Sequence, residues 1–577
     1  MTRRIGRGYG AGSFTGRHPL RARSLTPVVA VIVLSLTVTV ATDPGGASAA
    51  GSGEFCGPGW QRISTPQVQK MTRFTGLAGV RDDLWAVGYH ARGPSATTST
   101  LAAHWDGSSW TEVATPDPGD RNWLFAAAAI APDDVWAVGT ADNRAVAVHW
   151  NGSTWTATPM PNPPSAFEEL WAVDAVSSDD VWAVGRRGST ASIRTLTMHW
   201  NGTAWSVVAA PDPGADGDHL LGIDAVSEDD AWAFGSSTSG SGAEHGPLLL
   251  HWNGTAWSTA ATGDVAAGTI LMTGAETPGG DLWTGGGSWA GTGPSTGVVQ
   301  RRRGVAWTSW PNPATRWEAL DAVSGGDVWV AGEGQRASLT AHWDGAGWTP
   351  LAVPAHLGPG AIPSLKGIVA VAPDEIWAVG GAEPFDSSYA SSLALRLCPI
   401  EVGDGGFSKL SSRVGQGSGT LWRFSGTGPG PQDVTDALGL GTGGAPLFTT
   451  GARPAGSTGT FVLPHAGAFA VRDGATGHTA ELTVPTEAHP KKAPLGTSFT
   501  ILTSAMPTLP AALGSDIRYR RPGSEFWNRL VTSTGNGSTT FTPDRSGTYT
   551  FQSRLRNKTT GAVSGWSPFA TITATAP

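Results

Sequence analysis

The sequence predicts an all-β chain, a seven-bladed β-propeller followed by two β-sandwich domains. Three observations predict it. A phrase close to Asp-x-Trp-Ala-Val-Gly recurs seven times, with its tryptophan at Trp85, Trp136, Trp182, Trp232, Trp283, Trp329 and Trp377. The spacing of 46–51 residues is that of radial or stacked repeats. A second phrase, His-Trp-Asn/Asp-Gly with a further tryptophan close behind, follows most copies, starting at His104, His149, His199, His251 and His342. Finally, 80 glycines, 41 prolines and only 15% charged residues punctuate regularly spaced apolar runs, a composition of short strands and turns and not of a disordered chain.

Each repeat reads as four strands. In the third copy, residues 170–176 are apolar and β-rich, SSDD turns, and VWAVG follows as a second strand. A polar loop leads to TLTMHW, and Asn201-Gly202 turns the chain into WSVVAAP. Asn-Gly accepts positive φ and is a strong hairpin signal. Four antiparallel strands per repeat make one blade. The fifth copy is degenerate, reading RRRGVAW up to Trp307, and the seventh stops at Leu395-Arg396-Leu397-Cys398 where His-Trp would stand. Residues 56–66 read like the missing fourth strand. The N-terminal strand is therefore expected to complete the blade of Trp377 and close the ring. These phrases, over residues 55–399, resemble secreted bacterial β-propellers with WAVG and HWDG-W repeats, and more distantly tachylectin-type and Asp-box propellers. The resemblance implies a fold and leaves function open.

Residues 1–49 read as a signal peptide, with a basic start, an apolar run over 28–41 and Ala47-Ser48-Ala49 for cleavage. The run is too short to favour a membrane span. Arg3-Arg4 lies far from it, which favours the general secretion route over a twin-arginine one. The leader holds six arginines and one aspartate, so the net charge of −8 becomes −13 without it. That balance speaks against a nucleic-acid partner and for a secreted protein. The two cysteines, Cys56 and Cys398, flank the expected closure and read as one disulfide, worth roughly 4–5 kcal/mol in the chain-entropy model.

Beyond residue 400 the tryptophan phrases cease. Residues 420–485, with QDVTD, LFTTG and TFVLPHAGAFAV, resemble a cupredoxin-like sandwich, assigned to 400–485. Blue-copper members of that family need thiolate with imidazole. Gln432 stands where the first histidine is expected, Asp473 lies near the cysteine position, and the domain has no cysteine, so neither copper nor any other cofactor is expected. His465 and His478 read as surface histidines. A polar linker is expected over 486–496. Residues 497–577 resemble a fibronectin type III domain, on the hairpin at 546–568, with Arg554 and Arg556 expected to stack on Trp566.

The repeated histidines lie at the same place in different blades, so they read as structural. So do the acidic pairs Asp82-Asp83, Asp133-Asp134, Asp179-Asp180 and Asp229-Asp230, as turn caps. Arg301, Arg302 and Arg303 read as a solvated loop. Function is expected where repeats disagree, at the start of the first strand. There the blades offer Arg73, Trp123, Glu169, His219, Ile270, Arg316 and Ser364. Two residues on, on the same face, come Phe125, Trp171, Leu221, Met272, Glu318 and Lys366. The candidate ligand-binding set is Arg73, Trp123, Glu169, Trp171, His219, Arg316 and Lys366, aromatic faces beside polar groups as sugars or peptides require. The leading reading is an exported binding protein for an extracellular glycan, a cell-wall polymer or another exported protein. A propeller glycosidase or polysaccharide lyase, drawing on Glu168, Glu169 and His219, and a purely structural cell-surface protein are the alternatives.

Overall fold

The computed structural model describes residues 57–576, apart from 68–70, 92–96, 162, 164, 190–191, 215–216, 239–244, 267, 289–295, 313, 335–337, 355–360, 373, 385–390 and 427–430. Residues 1–49, the expected signal peptide, and Cys56 lie outside the described residues. Among the described residues no helix is long and apolar enough to cross a membrane.

The repeats form seven four-stranded antiparallel units. Units three and four are joined into one sheet by a single parallel bridge, Ile193 to Gly217. The innermost strands are Met71–Val80, Asn122–Ala131, Phe167–Ser177, Gly217–Ser227, Thr269–Glu276, Arg316–Ser324 and Ala361–Ala372. Each packs beside the next, and the last packs beside the first. The seventh unit takes its outer strand from the start of the chain. Gln61–Ile63 pairs antiparallel with Ser391–Leu397, Gln61 facing Arg396 and Ile63 facing Ala394. Ahead of it, Trp60 is fully buried, shares a core with Trp329, Leu351 and Leu395, and donates from Nε1 to Thr340 Oγ1 at 2.8 Å. Cys398 is fully buried, and its amide donates to the Gly57 carbonyl at 2.7 Å.

The two phrases meet across strands. In five units the histidine stands opposite the phrase tryptophan. Its Nε2 contacts the carboxylate two residues before that tryptophan, at 2.7–2.9 Å for His104–Asp83, His149–Asp134, His199–Asp180, His251–Asp230 and His342–Asp327. The imidazole lies against the indole with ring centroids 4.1–4.6 Å apart. The acidic pairs thus divide their work: the second member holds the histidine, while the first stays in the turn. Its Cβ packs against the glycine of the neighbouring Asn-Gly hairpin, where a side chain at Gly152, Gly202 or Gly254 would meet it at 2.7–2.8 Å. Those glycines also have φ of 82–86°, so only glycine suits the site.

The blade-to-blade wedge is filled by tryptophan triads. Trp85 meets Trp150 and Trp155 of the next unit at 4.8 and 5.1 Å, the second edge-on, and Trp136, Trp182, Trp283 and Trp377 sit in like triads. The indole N–H groups of Trp85, Trp136 and Trp182 have no oxygen or nitrogen acceptor, so burial and ring contact hold the triads.

Arg301, Arg302 and Arg303, expected as a solvated loop, instead lie in the strand Gly297–Arg303. Arg301 takes the histidine place over Trp283 at 5.2 Å, and Arg302 takes the tryptophan place over Trp232 at 5.0 Å. Arg303 grips Asp281 through Nε and Nη2 at 2.8 and 2.6 Å. In the seventh unit Arg396 likewise lies 5.2 Å over Trp377 and pairs with Glu375 at 2.6 Å. A guanidinium is flat and cationic, so it stacks on indole and binds carboxylate as the histidine does.

Residues 400–484 form two four-stranded sheets around Trp422, Phe424, Phe461, Phe469 and Leu482. This sandwich is tied to the ring closure: Leu421 donates to the Pro58 carbonyl, Gly59 bridges Thr420, and Arg423 reaches Asp327 at 3.4 Å. His465 is not a surface histidine. It is 2% exposed, 3.0 Å from Ser504 Oγ, and burial pushes its pKa down to about 4. His478 is exposed and rests on Thr476. Among the described residues no group of three His, Cys, Asp or Glu side chains stands close enough to share a metal ion.

The expected linker over 486–496 is instead structured. Glu487–His489 pairs with Phe499–Leu502, and Lys492–Pro494 runs parallel to Ala570–Thr575, so the segment supplies an edge strand to each sheet of the last sandwich. Strands of three residues, with lysine and proline, carry no alternation for sequence reasoning to detect. In this domain Arg554 lies 4.6 Å over Trp566, and Arg518 joins it from the other strand at 4.0 Å. Arg556 does not stack on Trp566; its guanidinium is held by Asp516 at 2.6 Å.

Three aspartates on inner strands stand opposite phrase tryptophans and tie blade to blade. Asp174 accepts the Ala225 amide at 2.8 Å, Asp224 that of Glu276 at 2.7 Å, and Asp321 that of Ala370 at 2.7 Å. Burial raises Asp174 to about 6 against the amide bonds it accepts, with the Asp321 charge adding to the rise. Burial and the Asp174 charge raise Asp224 well above the usual carboxylate range. A carboxyl raised on folding stabilises fully below its unfolded value near 4, and that stability is lost as pH climbs through about 6. Asp174→Asn keeps an acceptor for Ala225 without the charge. It should raise the unfolding midpoint at pH 8 by at least about 2 °C, with the gain vanishing near pH 4; an equal gain at both pH values, or a loss at pH 8, contradicts the assignment. Trp60→Ala should cost about 3–5 kcal/mol in denaturant unfolding; a loss under about 1 kcal/mol would show that the closing strand is dispensable.

Candidate functional site

The inner strands run from one face of the ring to the other, alternating buried and half-exposed residues. Phe74, Leu124, Leu170, Leu220, Leu271, Trp317 and Leu365 point into the blades and are fully buried. The residues beside them point to the axis. Thr75, Phe125, Trp171, Leu221, Met272, Glu318 and Lys366, one from each blade, line a single cavity of about 420 Å³ at the centre of the ring. Its wall is split. Blades two to five contribute an apolar arc, and blades six, seven and one contribute carboxylate, ammonium and hydroxyl.

Two ion clusters sit over this wall. On the apolar side, Arg186 donates from Nε to Glu169 Oε2 at 2.7 Å, and Trp171 donates from Nε1 to the same oxygen at 3.1 Å. The Arg186 guanidinium also covers the Trp171 ring at 4.7 Å and stands 3.4 Å from His219 Nδ1. Phe125 approaches the far side of Trp171 edge-on at 6.3 Å. The result is an aromatic arc, Phe125–Trp171–His219, clamped by one arginine. On the polar side, Glu318 accepts Arg316 and, at 3.0 Å, Lys366. Glu333 accepts Lys366 at 3.1 Å, Arg316 at 3.4 Å and the Ser364 hydroxyl at 2.9 Å. Burial alone would raise Glu333, but the Lys366 and Arg316 charges and the hydrogen bonds from Lys366 and Ser364 hold it below its usual range.

Of the sequence candidates, Glu169, Trp171 and His219 therefore come together, as do Arg316 and Lys366. Arg73 and Trp123 are placed by other contacts. Arg73 lies against Gly381 of the seventh blade, and Trp123 meets Tyr89 edge-on at 6.3 Å. Arg316 and Glu169, expected to be open to ligand hydroxyls, are already engaged in ion pairs. Glu168 alternates onto the opposite face: it is 1% exposed and is held by Arg144 at 3.1 Å and Ser165 at 2.6 Å. The long loops at 89–100 and 236–247 lie partly outside the described residues.

Sequence reasoning missed Arg186 and Glu333. Both stand directly across from a candidate, Arg186 opposite Glu169 and Glu333 opposite Arg316. The signal was present. Each is the residue immediately after the glycine that ends the repeated phrase, and there the other blades carry Tyr89, Thr140, Ser236, Gly287 and Gly381.

No known family profile matches this chain, and no curated protein matches its sequence. Solved structures do. The chain is similar to YCF48 bound to D1 peptide, at 14% identity with a TM-score of 0.38, covering 59% of this chain and 98% of that one. It is similar to the polysaccharide lyase Uly1, at 9% identity and a TM-score of 0.38, over 60% of this chain and 97% of that one. It is also similar to the extracellular domain of the putative one component system BT4673 from B. thetaiotaomicron, at 10% identity and a TM-score of 0.36, covering 91% of this chain and 59% of that one.

Proposed function

We propose that this chain is an exported recognition protein. Its seven-bladed propeller would bind an extracellular glycan or cell-wall polymer at the mouth of the central cavity, with a Cys56–Cys398 disulfide guarding the ring closure and the two sandwiches as its stalk. One observation carries the reading. Seven positions equivalent by symmetry line a single cavity, yet they divide into an apolar arc and a charged arc. Packing has no need of that asymmetry, while an asymmetric ligand does. Phe125 and Trp171 offer faces for a sugar ring, and the Arg316–Glu318–Lys366–Glu333 chain offers donors and acceptors for its hydroxyls.

A hydrolase or lyase reading draws less support. At the mouth, Lys366 and Arg316 hold the Glu333 carboxylate below its usual range, whereas general-acid work needs a carboxyl raised toward neutrality. Of the raised carboxyls, Asp174 and Asp224 are anchored on backbone amides of the next blade, Asp218 on the Gly214 amide and Glu276 on the Trp232 indole N–H.

A glycan array read with the exported protein identifies the partner, and titration of the best binder tests the site. Trp171→Ala and Arg316→Ala should each weaken binding by about 1 kcal/mol or more with unfolding midpoints preserved. Unchanged affinity in both would move the site off the channel mouth.

A further inference from the structure

In the last sandwich, Ile517 and Tyr519 pack into the core, so Arg518 and Arg520, which alternate with them, take the opposite face of the sheet. Aromatic rings are interleaved with these arginines. Arg554 lies 4.6 Å over Trp566, and Arg518 lies 4.0 Å over Trp566 and 4.2 Å over Trp527. Arg520 follows, 4.6 Å over Trp527 and 5.3 Å over Phe569. Guanidinium and ring thus alternate across the face. Among the described residues the exposed aromatic side chains are Phe526, 83% exposed, and Phe569, 57% exposed. Phe526 adjoins Trp527 in the chain, and Phe569 lies 6.0 Å from the Trp527 ring.

The charge on this face is one-sided. The five strands of the sheet carry a single acidic residue, Asp516, against Arg518, Arg520, Arg529, Arg554 and Arg556. Asp516 is shared by Arg554, from Nε at 3.0 Å, and Arg556, from Nη2 at 2.6 Å. Arg518 gives Nε and Nη2 to Gln552 Oε1, an uncharged acceptor, at 3.1 and 2.6 Å. The Arg520 guanidinium is engaged by its two rings alone. Exposed Arg529 stands across from Arg518 on the neighbouring strand. In the flanking loops Asp544 is taken by Arg521 at 3.0 Å, and Glu525 is exposed without an ion pair among the described residues. Burial lowers Arg518, and the Arg554 and Arg520 charges deepen the fall.

Stacking covers the flat faces of a guanidinium and leaves its N–H edge, a fork that matches a carboxylate. Exposed aromatic faces suit sugar rings. An alternation of ring and fork fits a polymer in which each sugar ring carries its own carboxylate. An acidic peptide lacks the sugar ring, and a nucleic acid suits a chain of net charge −8 less well. We infer that this face binds a polyuronate, with the N–H edges of Arg518 and Arg520 toward its carboxylates and Phe569 against a sugar ring. The inference is independent of the propeller mouth.

Calorimetric titration of the full-length protein at about 50 and about 200 mM salt tests it. The probes are an oligogalacturonate, neutral dextran, poly-L-glutamate and oligothymidylate. The oligogalacturonate should bind, more weakly at the higher salt, and at least about five-fold more tightly than the other three. Arg520→Ala and Phe569→Ala should each weaken it at least about five-fold at an unchanged unfolding midpoint. Arg520→Lys should not restore wild-type binding, because a point charge lacks the fork. Trp171→Ala should bind as wild type does, which separates this face from the mouth. No binding of the oligogalacturonate, equal binding by wild type, Arg520→Ala and Phe569→Ala, a loss confined to Trp171→Ala, or tighter binding of poly-L-glutamate or oligothymidylate overturns the assignment.

Discussion

The ring depends on one repeated contact, a carboxylate that holds a flat cationic or imidazole group against an indole. The strand pair that carries the phrase tryptophan is locked by it in register, since a one-residue slip would part His104 from Asp83 and throw every side chain to the wrong face. Once Trp85 is fixed in this way, its exposed side becomes the platform on which Trp150 and Trp155 of the next blade pack. Intra-blade register and inter-blade packing are thereby the same problem, solved once per repeat. Of the two units that lack histidine, the seventh keeps the whole contact in Arg396, which covers Trp377 and pairs with Glu375, while the fifth divides it between Arg301 over Trp283 and Arg303 on Asp281.

That substitution shows where sequence reasoning succeeds and where it stops. The phrases, their spacing, the four strands and the N-terminal closing strand were legible, because repetition exposes whatever packing demands. The arginines were misread because charge suggests a solvated loop, while Arg301 and Arg302 lie partly buried over indoles and Arg303 is paired with Asp281 on the same strand. The edge strands at 487–494 were illegible because three-residue strands have no period. At the mouth, the inward-facing residues could be found by counting, but Arg186 and Glu333 could not be paired with Glu169 and Arg316 without the register of the second strand. His465 looked like a loop histidine because the domain interface that buries it with Ser504 is invisible in a linear reading.

The two C-terminal sandwiches are not beads on a string. Leu421 of the first enters the same core as Trp60 and Trp329 of the ring, and Leu509, Leu513 and Leu555 of the last complete the core of the first. Sandwiches packed this way share their cores with the ring and with each other instead of swinging freely.

The most direct test of this account is hydrogen–deuterium exchange of the protein with and without a glycan selected on the array. Slowed exchange at the starts of the inner strands, around residues 73–76, 123–126, 169–172, 219–222 and 316–319, together with the phrase ends at 186 and 333, is the predicted footprint. A footprint confined to the opposite ends of the strands, where the His-Trp phrases lie, with the mouth unprotected, would contradict it.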